Sequence, residues 1–377
     1  MVIKQANEII MLIRSEVNDS LTLKFAEAVN ERKKRGEDIL SLGLGEPDFK
    51  TPGVLIQALK DSCDKPECSK YSASAGLPGL RRKIAEDLKS RYGINCGTEN
   101  IMVTPGTKQA VMLSLMAILE PGDEVIVVLP AYVSYIPQIY LAEPQAEVKI
   151  VHLDKSKYNL NIDEIKANIS VKTKAIIINS PHNPTGQMLA EVDLRAIFEL
   201  AEKHGFYILS DEIYDRLVFG KTMHFSVASL EPVLNRVITL NGFGKSLAIT
   251  GWRIGYACLP LKVWAKVNKL QQHINTNTST LLQHAIEMVW PLPDEHLSVY
   301  NKTLAERTIL YKTFLGENPV LSGSNPTGGF FAFINVGRLN VDSITFAVKL
   351  VDFTGVAVTP GIRSEEHTSE LQSPNTI

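Results

Sequence analysis

The pattern of the amino-acid sequence implies an α/β protein: a mainly parallel sheet covered by helices on both faces, with a smaller α+β unit made from the two chain ends. Three observations carry this. Short β-branched runs alternate with helix-period stretches through the middle of the chain. The runs are apolar almost throughout rather than at every second residue, as in strands buried on both sides. And the order strand, helix, strand recurs, which is how a chain builds parallel neighbours.

The elements follow in order. Apolar spacing predicts an amphipathic helix over 21–35, stopped at Gly36. Ile101-Met102-Val103 is a strand leading into a helix over 110–119, and Pro121-Gly122-Asp123 turns the chain into a strand over 124–129. Further strands are expected at 147–151, 174–179, 206–210, 237–240 and 254–259. Between them, 189–203 places Leu194, Ile197, Phe198 and Ala201 on one helical face, and another helical stretch begins at 263–270. After Pro291-Leu292-Pro293 come a helix over 304–315, a Gly/Pro/Ser-rich turn region and a strand over 330–336. Residues 50–275 are expected to form the large ligand-binding domain, and 1–49 with 276–362 the small one. Ligands of such sheets collect beyond the carboxyl ends of the strands.

Composition narrows the function classes. A chain of 377 residues suits one large domain plus a smaller one. With 39 basic against 41 acidic residues and a net charge of −2, it carries no electrostatic footprint for nucleic acid or an anionic membrane. Apolar runs such as Ile176-Ile177-Ile178 fall far short of a membrane span, and Lys4, Glu8 and Arg14 interrupt the opening residues, so no secretory signal is expected. Four cysteines, none in a CxxC pair, fit a reduced, cytoplasmic setting. The last stretch, 363–377, is polar and aperiodic; it reads like the translation of a sequencing-library adapter, an artefactual disordered tail, the other explanation being an ordinary polar tail.

Several residues can carry chemistry, and each also has an ordinary explanation. Lys245, in Asn241-Gly242-Phe243-Gly244-Lys245-Ser246, sits on a Gly-bearing loop just past a buried strand, where an amine could be desolvated and attack a carbonyl; most lysines are simply solvated. Arg253, in Thr250-Gly251-Trp252-Arg253, can grip a phosphate with paired hydrogen bonds or form a structural ion pair. Asp211 ends a strand and can hold a proton on a heterocyclic nitrogen, or cap a helix beginning at Ile213. Asn183, in a stiff Pro/Gly turn after another strand, can donate to a phenolate-type oxygen or serve the turn alone. Gly106 and Thr107 at a helix start present free N–H groups to a phosphate. The methionines and Phe330-Phe331 read as core.

The conjunction is far more specific than its parts. The strings SLGLGEPDF, KYSASAG, NSPHNPTG, SDEIYDRL and NGFGKSLAITGWRIGYA resemble class I/II aminotransferases, pyridoxal-phosphate enzymes of fold type I, over residues 42–361. The resemblance implies a seven-stranded, mostly parallel sheet. It implies that Lys245 is the Schiff-base lysine, that Asp211 partners the pyridine nitrogen, and that Asn183 and Tyr214 donate to the phenolic oxygen. It implies that Arg253 with the backbone of Gly106, Thr107 and Lys108 holds the phosphate, and that Tyr132 stacks on the ring. Tyr71 would reach the phosphate of a neighbouring subunit, hence a homodimer, and Gly45, with Asn183, would meet the substrate. No metal is implied. Two departures stand out. Gly242 occupies a place where many relatives carry a phosphate-touching hydroxyl, and the family's α-carboxylate arginine lies beyond Pro360-Gly361, where this chain has the adapter-like tail. Arg363 comes too early to be that arginine, and a chain without it is expected to be impaired in turnover.

The implied reaction moves an α-amino group from an amino acid to a 2-oxo acid such as 2-oxoglutarate by a ping-pong route, with Lys245 as base and then acid. Lys108 together with Tyr132-Val133-Ser134-Tyr135 resembles bacterial aspartate aminotransferases of the gamma subgroup, where a lysine meets a side-chain carboxylate. An aromatic or alanine aminotransferase, or a C–S β-lyase using the same lysine and aspartate, are the alternatives.

Overall fold

The computed structural model describes residues 21–43, 45–154, 157–220 and 222–361. The first twenty residues and the adapter-like tail lie outside the described residues. The described chain opens on α1 (Leu21–Lys34), whose last turn gathers Arg32, Lys33 and Lys34 against the helix's orphan carbonyls. It then runs through β1 (Leu40–Ser41), α2 (Gly53–Cys63) and α3 (Pro78–Tyr92). Pro78 starts α3 where no N–H is needed, and Gly93 ends it at φ 72°, in the left-handed region.

The central portion alternates as expected: β2 (Ile101–Thr104), α4 (Thr107–Ile118), β3 (Glu124–Leu129), α5 (Tyr135–Ala142), β4 (Glu147–His152), α6 (Ile162–Ala167), β5 (Thr173–Asn179), α7 (Glu191–His204), β6 (Tyr207–Asp211), β7 (Val237–Gly242) and β8 (Gly255–Cys258). The seven strands β2 to β8 form one sheet in the order β2-β8-β7-β6-β5-β3-β4. Pairing is parallel from β7 through β4, and β8 runs antiparallel to both β2 and β7. An antiparallel neighbour needs no crossover helix. The loop over 243–254 can therefore return directly from β7 to β8, carrying Lys245 and Arg253 at the carboxyl edge of the sheet.

Both faces of the sheet are buried, with strand residues divided by alternation. Ile126, Val128, Ile176, Ile178 and Ile208 point to one side, where Leu80, Ile84 and Leu88 of α3 and Leu194 and Ile197 of α7 cover them. Val125, Val127, Ala175, Ile177, Leu209 and Ile238 point to the other, under α4, α5 and later α8 (Leu261–Ile274). This is why the strands read as continuous apolar runs.

The remainder comprises α9 (Thr280–Val289), α10 (Asp294–Glu317), β9 (Ser322–Gly323), β10 (Ile334–Asn335), α11 (Ser343–Thr354) and β11 (Val356–Ala357). β1 pairs in parallel with β11, Leu40 opposite Val356, so the two ends of the described chain meet. Arg32 adds ion pairs to Glu37 and Asp352, and the Thr359 hydroxyl donates to the Gly43 carbonyl at 2.8 Å. Two expectations need correction. The helix expected at 304–315 begins earlier, right after Pro293, because Leu297, Tyr300 and Leu304 continue its buried face. The strand expected over 330–336 shrinks to β10, because Phe330 and Phe331 leave the extended path and turn toward Tyr214. Among the described residues no helix is long and apolar enough to cross a membrane.

Packing at the sheet centre sets a stability expectation. Ile126, fully buried in β3, loses about 3 kcal/mol on truncation to alanine. Val171→Ala, at a fully solvent-exposed turn position, changes stability by less than about 0.5 kcal/mol, and urea unfolding of the two variants measures the contrast.

Candidate active site

Four strands deliver chemistry to the same edge because parallel strands end on the same side. β2 leads through Thr104 to Gly106, which caps α4 at φ 83°. A Cβ there would stand 2.6 Å from Arg253 Nη2, so only glycine lets the guanidinium lie against the helix start. The first N–H groups of α4, beginning at Thr107, have no partner within the helix and face the same space. The Thr107 hydroxyl donates to the Asn241 carbonyl at 2.8 Å. At Gly242 a Cβ would meet Thr107 Oγ1 at 2.7 Å and Gly255 Cα at 2.9 Å. The backbones of β7, β8 and the start of α4 touch, which explains the absent hydroxyl at Gly242: no side chain fits.

Arg253 sits at φ 55° and donates from Nη1 to the Thr250 carbonyl at 3.0 Å. Among the described residues it pairs with no carboxylate, so the structural ion-pair explanation is set aside. Among the described residues its charge has no protein counter-ion, which leaves it available to an anion seated on the α4 N-terminus.

Lys245 lies on the same loop, half-buried, and its Nζ donates to the Gly45 carbonyl. The ammonium stands 5.5 Å from the Phe330 ring centroid and 5.9 Å from that of Tyr214. Burial pulls its pKa down to about 8, Arg253 pushes the same way, and the carboxylates of Glu46 and Asp211 oppose the shift. Such an amine is neutral and nucleophilic far more often than a solvated lysine.

Asp211, at the end of β6, is buried. Its Oδ2 accepts from the Tyr135 hydroxyl at 2.8 Å and its Oδ1 from the Ile213 N–H at 3.2 Å. The cap to Ile213 is real, but a turn rather than a helix follows. Burial pushes the carboxyl up to about 6, while the Tyr135 hydrogen bond, the Ile213 N–H and the Lys245 charge hold it down. Beyond it, the Tyr92 hydroxyl donates to Asp215 Oδ2 at 2.8 Å and Arg216 pairs with buried Asp87, fixing the segment onto α3.

Burial and then Asp211 drive the pKa of the Tyr214 hydroxyl well above the ordinary tyrosine value, against the opposing influence of nearby Asn183. Two side-chain donors thus converge beside Asp211. Asn179, at the end of β5, donates to the Asp211 carbonyl at 2.8 Å and accepts from the Asn183 N–H at 2.7 Å, tying both turns together. His182 is buried and held down at about 4, so it stays neutral, with Nδ1 2.9 Å from the Thr185 hydroxyl as a prop for the turn.

Tyr132 packs edge-on against Tyr135 with centroids 5.5 Å apart, and Lys108 Nζ lies 5.5 Å from the Tyr132 centroid. Lys108 is exposed at the first turn of α4, aimed at this aromatic plate. Tyr71 is the residue not brought in: it is 87% exposed and makes no hydrogen bond or ring contact with this group among the described residues. Its segment is nonetheless pinned, with Thr280 Oγ1 donating to the Lys70 carbonyl at 2.7 Å and Gln283 Nε2 to Ser72 Oγ at 3.2 Å.

Sequence reasoning missed five contributors. Phe330 and Phe331, expected as core, stand over Lys245 and Tyr214. Tyr135, Asn179 and Glu46 were quoted within motifs without a role; Glu46 takes a hydrogen bond from the Thr250 hydroxyl at 2.8 Å beside the lysine. The available signal was position: Asn179 ends a strand, and Tyr135 lies one helical turn after Tyr132.

Fold and site together define an α/β protein whose sheet edge gathers a desolvated lysine, a guanidinium with no carboxylate partner among the described residues, and a buried carboxylate. The chain belongs to the aminotransferase class I and II family, whose model matches residues 37–369, and it is an aminotransferase. It is 36% identical over 332 residues to an aspartate aminotransferase of Pyrococcus abyssi, spanning 86% of this chain and 84% of the relative. An aromatic-amino-acid aminotransferase of Thermococcus litoralis is 34% identical over 86% of this chain and 84% of its own length. Among solved structures, aspartate aminotransferase from Thermus thermophilus with maleate superposes with a TM-score of 0.88 at 31% identity, over 94% of this chain and 92% of that one. The fold-type I architecture and the seven-stranded sheet stand as expected.

The lowered pKa of Lys245 makes a checkable statement. Only the neutral amine reacts with aldehydes, so reductive methylation of Lys245 should reach half its maximal rate near pH 8, well below the pH an ordinary lysine needs. Mass-spectrometric mapping across a pH series measures it.

Proposed function

We propose that this aminotransferase uses pyridoxal 5′-phosphate and exchanges amino groups between aspartate and a 2-oxo acid such as 2-oxoglutarate. The observation that carries the proposal is one loop holding an amine and a guanidinium, Lys245 and Arg253, opposite a buried carboxylate, Asp211. The donor set fits the cofactor: a cradle at Gly106 with no room for a Cβ beside Arg253, an acid where a pyridine nitrogen needs one, and two donors at Asn183 and Tyr214 for a phenolic oxygen. Arg253 and the backbone of Gly106, Thr107 and Lys108 would hold the phosphate, and Tyr132 would lie on the ring. When bound, pyridoxal phosphate supplies an aldehyde that condenses with amines and a ring that accepts an electron pair.

The protein's own groups do the rest. Asp211, ionised, holds a proton at the pyridine nitrogen and keeps positive charge there. Lys245, with its lowered pKa, removes the proton from the substrate Cα and later delivers a proton within the same site, base first and acid second. Phe330 lies against the lysine and Phe331 against Tyr214, apolar rings that limit water around the amine. Gly45, whose carbonyl already meets the lysine, would place its segment against the α-carboxylate, with Asn183 on the other side.

Lys108 supports the acidic substrate. Its ammonium projects past Tyr132 from the first turn of α4, where a side-chain carboxylate would gain Coulomb attraction in a partly closed site. The names of the Pyrococcus and Thermus relatives agree with that choice. The Thermococcus relative and the rings of Tyr132 and Phe330 favour an aromatic donor as the second reading.

The same reading takes a homodimer, because Tyr71 is held out to solvent on a pinned segment, and a cytoplasmic setting, because all four cysteines are free. It also takes a large domain over 50–275 and a small one from 1–49 and 276–362, supported by the β1–β11 pairing across the two ends. The tail over 363–377 is read as artefactual.

Two experiments test this. Borohydride reduction of the chain mixed with pyridoxal phosphate, followed by peptide mapping, is expected to label Lys245 and to fail in Lys245→Ala, which should also lose amino exchange by at least about a thousandfold. Label on another lysine, or retained exchange, would overturn the assignment. Lys108→Ala is expected to reduce kcat/KM for aspartate about tenfold or more while leaving alanine nearly unchanged. Equal losses for both donors would remove the acidic-substrate proposal and favour the aromatic one.

A further inference from the structure

Tyr135 has no part in the cofactor contacts above, yet it touches two of the groups that make them. It opens α5 and is 3% exposed. Its hydroxyl donates to Asp211 Oδ2 at 2.8 Å. Its ring meets that of Tyr132 at 79° with centroids 5.5 Å apart, and its N–H donates to the Tyr132 carbonyl at 3.1 Å. One side chain therefore ties the carboxylate that would face the edge of the pyridine ring to the aromatic plate that would face its plane.

We propose that Tyr135 is a positioning residue for the transamination reaction, holding Asp211 ionised and aimed through its hydroxyl while its ring fixes the tilt of Tyr132. The physics is that of a buried anion. Asp211 has lost nearly all its water, and what replaces the water is a short list: the Ile213 N–H on one oxygen and the Tyr135 hydroxyl on the other. Of the two, the tyrosine is the nearer donor, and its own deprotonation is opposed by burial and by Asp211 itself, so it remains a donor throughout the working pH range. A neutral donor is also the right kind of partner. A cationic one would cancel the charge that Asp211 must present to the cofactor, whereas a hydroxyl stabilises that charge and leaves it in place.

This inference rests on the pyridoxal-phosphate reading, and its test separates the two. Pyridoxal-phosphate affinity is measured by quenching of protein fluorescence for the wild type, Tyr135→Phe, Asp211→Asn and the double variant. Phenylalanine preserves the ring against Tyr132 and removes only the hydroxyl. Tyr135→Phe is expected to weaken affinity about tenfold, to lower kcat about tenfold with the KM for the amino donor nearly unchanged, and to shift the visible absorption band of the bound cofactor. Because the hydroxyl acts through Asp211, the double variant should bind no more weakly than Asp211→Asn alone. Additive losses, or a Tyr135→Phe protein with wild-type affinity, kcat and spectrum, would overturn the role. Should the wild type bind no pyridoxal phosphate, the cofactor reading falls and this inference with it. Tyr135→Leu, which removes ring and hydroxyl together, should lose more affinity than Tyr135→Phe; equal losses would show that the ring does not brace Tyr132.

Discussion

Asp211 puts a carboxylate at the end of a fully buried strand, and much of the site can be understood as the means of keeping it there. Burial drives its pKa up, toward a neutral acid, to a net value of about 6. Tyr135, the Ile213 N–H and the positive charge at Lys245 oppose that drift. The sign for the fold is plain: a carboxyl whose folded pKa exceeds its unfolded one favours the folded state when protonated, so ionising it costs stability as pH rises from the ordinary carboxylate range through about 6. On the proposed pyridoxal-phosphate reading, an anion in a dry place is what a protonated heterocycle would need. Lys245 shows the complementary displacement, its amine drawn down to about 8 by the same desolvation. Two groups of opposite type, both pushed toward neutrality and each holding the other partly charged, are the pairing expected of a catalytic centre.

The second constraint is close packing of backbone. Gly106, Gly242 and Gly255 bring the start of α4 against β7 and β8, so that the α4 N–H groups and the Arg253 guanidinium share one small space. The antiparallel placement of β8 makes this possible, since it returns the chain to the sheet edge within one loop and seats Lys245 and Arg253 side by side in function though not in sequence. Had β8 been parallel, a crossover helix would have intervened and the two cations would have been separated.

A third layer joins the site to the outer helices. The strap after Gly45 lies on Lys245, and Asp48 within it forms a two-point ion pair with Arg307 of α10, at 2.6 and 2.9 Å. Phe49 stacks on Tyr300 with centroids 4.0 Å apart, and the Tyr300 hydroxyl donates to the Lys50 carbonyl at 2.6 Å. Contacts from distant parts of the chain thus bear on Lys245, a coupling that folding alone creates.

How much of this could be read from the chain follows from the range of the forces involved. The strands were legible because burial on two faces demands continuous apolar runs, and the strand-end positions of Asn183, Asp211 and Lys245 follow once the strands are known. Motif strings carried the family and, through it, the expected roles. What local pattern could not supply was the second partner in each contact. Phe330-Phe331 look like core in any apolar count, and only the tertiary path turns Phe330 over Lys245 and Phe331 onto Tyr214; Tyr135 looks like one more aromatic until a hydroxyl seventy-six residues away in sequence from Asp211 proves to be its nearest donor. Helix and strand are decided by contacts a few residues apart, which a sequence displays directly. The pKa of a buried group is decided by whatever atoms happen to replace its water, and those arrive from anywhere in the chain.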